Sequence, residues 1–106
     1  MIVEIRTYRT TRGARDEVLD LIRTKLFDEL KRIGAKCAGP WISPEDEQTF
    51  VWLRGFPDQD ARQSMTNRFY GGAFWEEETA GLIMPKIEKH DVVAIEMDEK
   101  AVIWAW

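Results

Sequence analysis

The stretch MIVEIRTYRT, residues 1–10, alternates aliphatic side chains with charged or aromatic ones. A period of two is typical of a β-strand whose two faces meet different surroundings. One face of this strand would carry Val3 and Ile5, and the other Glu4, Arg6 and Tyr8. We therefore predict a strand over residues 1–10.

The segment after this strand has the pattern of a helix. Apolar residues recur every three or four positions and form one stripe, made of Val18, Leu21, Ile22, Leu26, Leu30 and Ile33. Asp16 and Glu17 lie in the predicted first turn, where the helix dipole favours negative charge. Gly34 stands where helices commonly end. We predict one helix between Gly13 and Gly34.

Two strands are predicted next. Residues 35–43 have strand composition, but Gly39 and Pro40 weaken the segment, so we expect an edge strand or a bulged one. Residues 48–56 alternate as clearly as the first strand does. An acidic turn around Pro44 separates the two strands.

The last half of the chain is predicted to add helices and a fourth strand. Asp58 is placed to cap a second helical region, which Gly71-Gly72 interrupts before a short helix over about residues 73–79. Residues 81–89 are predicted as a connector, because Pro85 disfavours a continuous helix there. Alternation over residues 91–97 predicts the final strand.

The resulting order is strand, helix, strand, strand, helix, strand. This order predicts a ferredoxin-like α+β sandwich, in which a four-stranded antiparallel sheet carries its helices on one face. A chain of 106 residues fits a single domain. We predict one domain over 1–106, with a core over 1–97 and a C-terminal tail over 98–106.

Composition excludes several classes of function. Fifteen basic against nineteen acidic residues give a net charge of −4, which argues against non-specific binding of nucleic acid. One cysteine and one histidine cannot form a disulfide or a zinc site within one chain. No apolar run reaches the roughly 20 residues of a membrane span. We expect a cytoplasmic protein without a metal, and no motif indicates a cofactor, since Gly71-Gly72 lacks the spacing of a phosphate-binding loop.

The two faces of the predicted sheet can be assigned from the alternation. We expect the helices to cover a mainly aliphatic face, formed by Val3, Ile5, Val51, Leu53, Val93 and Ile95. The other face would then carry Glu4, Arg6, Tyr8, Phe50, Trp52, Arg54, Phe56, Val92 and Ala94. That surface is too aromatic to face water, so we predict a symmetric homodimer in which a second copy covers it. The apolar tail is expected at the same interface.

Three segments resemble the NIPSNAP family. They are the opening Glu4-Ile5-Arg6-Thr7-Tyr8, the strand Phe50-Val51-Trp52-Leu53-Arg54-Gly55-Phe56, and Arg68-Phe69-Tyr70 followed by Trp75. The similarity extends over residues 1–97, although Gly71-Gly72-Ala73-Phe74 replaces the Ser-Pro-like break that the family often has before the tryptophan. The resemblance implies a dimeric α/β barrel in a family of poorly defined activity.

Five residues are predicted to bind a small, partly apolar ligand in the barrel cavity: Glu4, Arg6, Tyr8, Trp52 and Arg54. Arginine presents a planar fork to a polar ligand, and tryptophan supplies an apolar wall. The same residues could instead form a satisfied ion pair and packing at the dimer interface. Both interpretations stay open on the sequence alone.

Two other functions are possible. Dimeric barrels of this architecture include cofactor-free monooxygenases, for which Arg6 and His90 are the candidate acid–base groups on an activated phenolic substrate. Alternatively, His90 is an ordinary surface residue just before the last strand, with no catalytic role. A protein-interaction module is the third hypothesis, with the aromatic face and the tail as its surface. Cys37 is predicted to be a buried, unreactive thiol.

Overall fold

Four strands form one antiparallel sheet in the computed structural model, which describes residues 1–106. The strands are β1 (Ile2–Thr10), β2 (Lys36–Ile42), β3 (Thr49–Phe56) and β4 (Ile87–Glu96). Their order across the sheet is β2-β3-β1-β4, and every neighbouring pair is antiparallel. This arrangement confirms the ferredoxin-like α+β fold. The register of β2 against β3 shifts between Ala38 and Trp41, which confirms that β2 is a bulged edge strand.

Helix α1 connects β1 to β2. It runs through Arg15–Leu21, the π-helical segment Ile22–Leu26 and Phe27–Arg32. Its predicted apolar stripe packs in the core, with Val18, Ile22 and Leu30 at most 1% exposed. Gly34 adopts a φ of 97° directly after the helix, a conformation that a residue with a Cβ adopts only with strain. The predicted helix and its end are therefore confirmed.

Two helices connect β3 to β4. They are α2 (Gln59–Tyr70) and α3, which consists of the π-helical segment Phe74–Thr79 and the turn Ala80–Ile83. The carboxylate of Asp58 accepts a hydrogen bond of 2.7 Å from the backbone N–H of Ala61, which confirms it as the cap of α2.

The predicted connector over residues 81–89 is wrong at both ends. Helix α3 continues to Ile83, and a 3₁₀ turn over Met84–Lys86 leads directly into β4. Pro85 is accommodated because it lies in the first turn of that short helix, where no backbone N–H is needed. The strand begins at Ile87 instead of Asp91, since its first residues pair with the end of β1.

The assignment of the sheet faces is also wrong. The helices cover the face that carries Glu4, Arg6, Tyr8, Phe50, Trp52, Arg54 and Phe56, all of which are buried. We call this the covered face. The open face carries the other set, and Val93 and Ile95 are 48% and 38% exposed there. A period of two separates the faces without saying which one is inside, and here both are apolar. The large rings fill the space between the sheet and the helices.

The C-terminal tail wraps around the β2 edge of its own chain. The ring of Trp104 occupies the space beside Gly55 on the open face. The backbone N–H of Ala105 donates to the carbonyl of Cys37 at 2.8 Å. The indole of Trp106 then reaches the covered side, where it donates to Ala35 and packs edge-on against Phe27 with ring centres 5.5 Å apart. Contact of the tail with a second copy stays a prediction.

None of the helices combines the length and the hydropathy that crossing a bilayer requires.

Candidate functional site

A cavity of about 270 Å³ lies between the covered face and the helices. We call it the central cavity, and its walls are Arg6, Tyr8, Leu26, Tyr70, Trp75, Ile83, Met84, Ile87 and His90. These residues come from β1, β4 and all three helical segments, so the cavity exists only when the whole fold is assembled. Most of the wall is apolar, and a few polar groups converge at one end, which is the common form of a small-molecule site.

The polar end of the cavity is backed by a largely buried network, formed by Glu4, Arg6, Tyr8, Arg54, Arg62 and Tyr70, in which Arg62 and Tyr70 are partly exposed. We call it the polar cluster. Glu4 is its only carboxylate and is 3% exposed. One of its oxygens accepts from Arg6 at 2.7 Å, and the other accepts from Nε of Arg62 at 2.8 Å. Burial alone would raise the pKa of Glu4, but the charges and hydrogen bonds of the neighbouring guanidiniums outweigh it and lower that pKa below its usual value.

Arg6 connects the carboxylate to the cavity. Besides its bond to Glu4, it donates to the hydroxyl of Tyr8 at 3.2 Å and to the hydroxyl of Tyr70 at 3.1 Å. The guanidinium also lies over the ring of Trp52, 5.7 Å from its centre. Burial would lower the pKa of Arg6, whereas Tyr8, Tyr70 and Glu4 together raise it, so this side chain stays charged.

Arg54 is the second buried cation of the cluster, at 2% exposure. Its guanidinium lies 4.6 Å from the ring centre of Trp52 and 4.9 Å from that of Phe69, so aromatic faces enclose it. It donates one hydrogen bond, of 2.9 Å, to the hydroxyl of Tyr70. No carboxylate lies within ion-pair distance, and its Nε has no hydrogen-bond partner. The direct contacts of the buried Arg54 charge are therefore aromatic rings and one hydroxyl, while the Glu4 carboxylate acts on it only from beyond ion-pair distance.

His90 lies at the edge of the central cavity. The structure places it inside β4, opposite Tyr8 in the register, and not before the strand as predicted. The two rings meet nearly edge to face, with centres 6.1 Å apart. His90 is exposed, so it can meet both solvent and a molecule in the cavity.

The five residues predicted to bind a ligand lie on one face, but at different depths. Arg6 and Tyr8 line the central cavity, and Glu4 and Arg54 lie behind it in the polar cluster. Trp52 is fully buried beneath Arg54, and its Nε1 has no hydrogen-bond partner. The site differs from the prediction in one respect that matters: the cavity lies within one chain, under its own helices. The prediction that these rings form a protein-interaction surface is therefore wrong, because the chain's own helices cover them.

The sequence interpretation missed much of the cavity wall. The missed residues are Leu26, Tyr70, Trp75, Ile83, Met84 and Ile87. Tyr70 and Trp75 belong to a segment that resembles the NIPSNAP family, but the sequence gives no reason to place them in a ligand site. The aliphatic members gave no signal, because an apolar residue that borders a cavity looks like any other core residue in a sequence.

Cys37 lies on the covered side of β2 and is fully buried. Burial raises the pKa of its thiol to about 12, although the charges of Arg54 and Arg6 act in the opposite direction. The predicted burial of the thiol is confirmed, and its low reactivity stays a prediction.

Solved structures share this architecture over nearly the whole chain. An uncharacterized NIPSNAP domain protein from Burkholderia xenovorans matches with a TM-score of 0.79 and 24% identity, over 93% of this chain and 96% of that one. The fold is that of NIPSNAP family proteins. A NIPSNAP family protein from Agrobacterium tumefaciens matches with a TM-score of 0.78 and 19% identity, over 92% of this chain and 93% of its own. The structural resemblance to NIPSNAP proteins predicted from the sequence is thus confirmed.

A second group of similar structures carries the name of an enzyme. An antibiotic biosynthesis monooxygenase matches with a TM-score of 0.66 and 20% identity, over 92% of this chain and 99% of that one. No protein-family model matches this chain, and neither does any curated protein. At these identities the NIPSNAP-like and monooxygenase-like structures show the fold and leave the activity to be inferred from the site.

Proposed function

We propose that this protein binds a small, partly apolar molecule in the central cavity. The observation that carries the proposal is an apolar cavity wall with the buried guanidinium of Arg6 at one end. The guanidinium of Arg54 lies behind it, joined to Arg6 through the Tyr70 hydroxyl. A buried charge destabilises the fold unless an opposite charge or hydrogen bonds compensate for the lost hydration. No carboxylate lies within ion-pair distance of the ring-enclosed Arg54. A volume of about 270 Å³ suits a molecule of one or two rings.

The test uses 1-naphthol, a two-ring probe with one hydroxyl. We expect it to raise the melting temperature of the protein, because a ligand that binds only the native state stabilises it. Met84→Trp, which adds bulk to the cavity wall, should abolish that shift. Leu82→Trp is the matched control, since Leu82 is similarly exposed, at 41% against 47%, but lies outside the wall. An equal loss of binding in both variants would contradict the assigned site.

We also propose that a second copy of the chain covers the open face. The support for this is a group of exposed apolar side chains on that face, among them Trp41 at 51%, Val93 at 48% and Ile95 at 38%. Trp41 lies opposite Val51 in the register, so these residues share one surface. Exposed apolar groups of this kind commonly mark an interface. Cytoplasmic location likewise remains a proposal, based on the single cysteine.

Oxidation of an activated phenol is a second candidate function, because both predicted acid–base residues, Arg6 and His90, border the central cavity. The similar monooxygenase structure supports the same hypothesis. In such a reaction 1-naphthol and O₂ give 1,4-naphthoquinone and one water. One oxygen atom enters the ring and the other leaves as water, so the substrate itself supplies all four electrons.

Oxygen uptake distinguishes binding from oxidation. If the protein is an enzyme, 1-naphthol should produce oxygen consumption that falls sharply in His90→Ala and Arg6→Ala. Each variant is checked by circular dichroism, since Arg6 also supports the fold. Binding of 1-naphthol without oxygen uptake would exclude the oxidation of this phenol and leave the binding function in place.

A further inference from the structure

We infer that the ligand of the central cavity is an anion, with one carboxylate or ionised hydroxyl on an otherwise apolar body. This inference rests on the ligand-binding function proposed above. It follows from two independent features of the polar cluster, its balance of charge and its balance of hydrogen-bond donors.

The balance of charge is positive. The polar cluster holds three guanidiniums, those of Arg6, Arg54 and Arg62, and the single carboxylate of Glu4, which only Arg6 and Arg62 contact directly. Each carboxylate oxygen of Glu4 forms an ion pair, one with Arg6 and the other with Arg62. The surplus cation is Arg54, which is 2% exposed and has no carboxylate within ion-pair distance. A buried positive charge of this kind is stabilised by a counter-ion, and an anion in the adjoining cavity would supply one.

The balance of hydrogen bonds points the same way. A phenolic hydroxyl has one proton to donate and two positions that accept. The oxygen of Tyr70 accepts from Arg6 at 3.1 Å and from Arg54 at 2.9 Å, so both accepting positions are used and only its proton remains. The oxygen of Tyr8 accepts from Arg6 at 3.2 Å.

Neither phenolic proton is donated to an acceptor of the protein, and both tyrosines line the cavity. Two cations polarise the Tyr70 hydroxyl, which makes it a better donor. Donors without an intramolecular acceptor, next to surplus positive charge, are the arrangement that stabilises an oxyanion.

The rest of the wall defines the remainder of the molecule. Leu26, Ile83 and Ile87 are aliphatic, and Trp75 adds an aromatic surface. This lining disfavours a compact, fully hydrated ion, because most of the ion would lose water without gaining a polar contact. We therefore expect an aromatic or aliphatic carboxylate, or an ionised phenol or enol, and no binding of inorganic phosphate.

The test compares two probes of nearly the same shape, 2-naphthoate and the neutral 2-naphthamide, by calorimetric titration of the wild-type protein at neutral pH. We expect 2-naphthoate to bind about tenfold or more tightly than 2-naphthamide, because hydrogen bonds to a charged group contribute more than those to a neutral one. Inorganic phosphate should give no heat of binding.

Two variants assign the preference to the cluster. Tyr70→Phe removes the hydroxyl proton and should weaken 2-naphthoate binding about tenfold while leaving 2-naphthamide within about threefold. Thr79→Val is the matched control, because it also deletes a buried hydroxyl without a partner but lies outside the cavity wall. It should leave both affinities unchanged.

The outcomes separate this inference from the proposed function. Equal affinities, or tighter binding of 2-naphthamide, would overturn the anion inference and leave ligand binding in place. If neither probe nor 1-naphthol binds, the proposed function itself is wrong. If Tyr70→Phe fails to fold by circular dichroism, the wild-type comparison of the two probes still decides.

Discussion

The covered and open faces of the sheet have the same alternation, but only the covered face carries buried charges. The covered face combines large rings with buried charges, such as Trp52 at 0% and Arg54 at 2% exposure. The open face carries aliphatic and aromatic side chains that remain partly in water, such as Val93 and Trp41. The comparison shows that the chain's own helices cover the face that forms both the core and the central cavity.

A matched pair of tryptophans gives the largest expected difference between the faces. Trp52→Ala should lower the free energy of unfolding by about 4 kcal/mol, because it empties a fully buried site beneath the helices. Trp41→Ala removes the same side chain from a site that is 51% exposed and should cost much less. Urea unfolding measures both. Similar losses in the two variants would contradict the assignment of the faces.

Removal of the buried carboxylate should have the next largest effect. Glu4→Gln leaves the guanidiniums of Arg6 and Arg62 without their counter-charge and should cost about 3 kcal/mol. Glu88→Gln, which removes the exposed partner of Arg9, is the control and should change stability little.

The loss of stability in Glu4→Gln should depend on pH. The folded state lowers the pKa of Glu4, so its contribution is complete above the ordinary value of 4.5 and disappears as the pH falls through the lower folded value. The stability difference between wild type and Glu4→Gln should therefore be constant from pH 6 to 8 and shrink in acid. A difference that grows on acidification would show that the carboxylate is not stabilised by its arginines.

Assembly tests the open face. We expect light scattering to give the mass of a dimer for the wild type and of a monomer for Val93→Asp, since a charge on this apolar surface opposes association. Leu82→Asp places the same charge on a similarly exposed helical site and should leave the dimer intact. A monomeric wild type at micromolar concentration would overturn the proposed interface.

The smallest expected effect concerns Cys37. Because burial raises the pKa of its thiol to about 12, a thiol reagent should label the native protein very slowly at neutral pH. Urea should restore labelling at the rate of a free thiol. Rapid labelling without urea would show that the covered side of β2 opens readily.

The sequence predicted the elements of the fold better than their surroundings. The stripe of α1, its end at Gly34 and the cap at Asp58 depend on local chemistry, which a sequence displays directly. The faces could not be assigned, because Ile5 and Tyr8 lie on opposite sides of one strand and both are suited to burial. The choice between them depends on the volume that α1 and α2 leave above the sheet.

The candidate site was predicted in part for a related reason. Arg6 and Tyr8 are two positions apart in β1, so their shared face follows from the alternation. Tyr70, whose hydroxyl joins Arg6 to Arg54, lies 64 residues from Arg6 along the chain. Only the packed tertiary structure brings that hydroxyl to the two guanidiniums.

The most direct test of the central claim, that the covered face holds a ligand inside one chain, is a crystal structure with 2-naphthoate. We predict density for the naphthyl ring in the central cavity, with the carboxylate within hydrogen-bond distance of the Tyr70 hydroxyl. Density on the open face with an empty central cavity would contradict the claim.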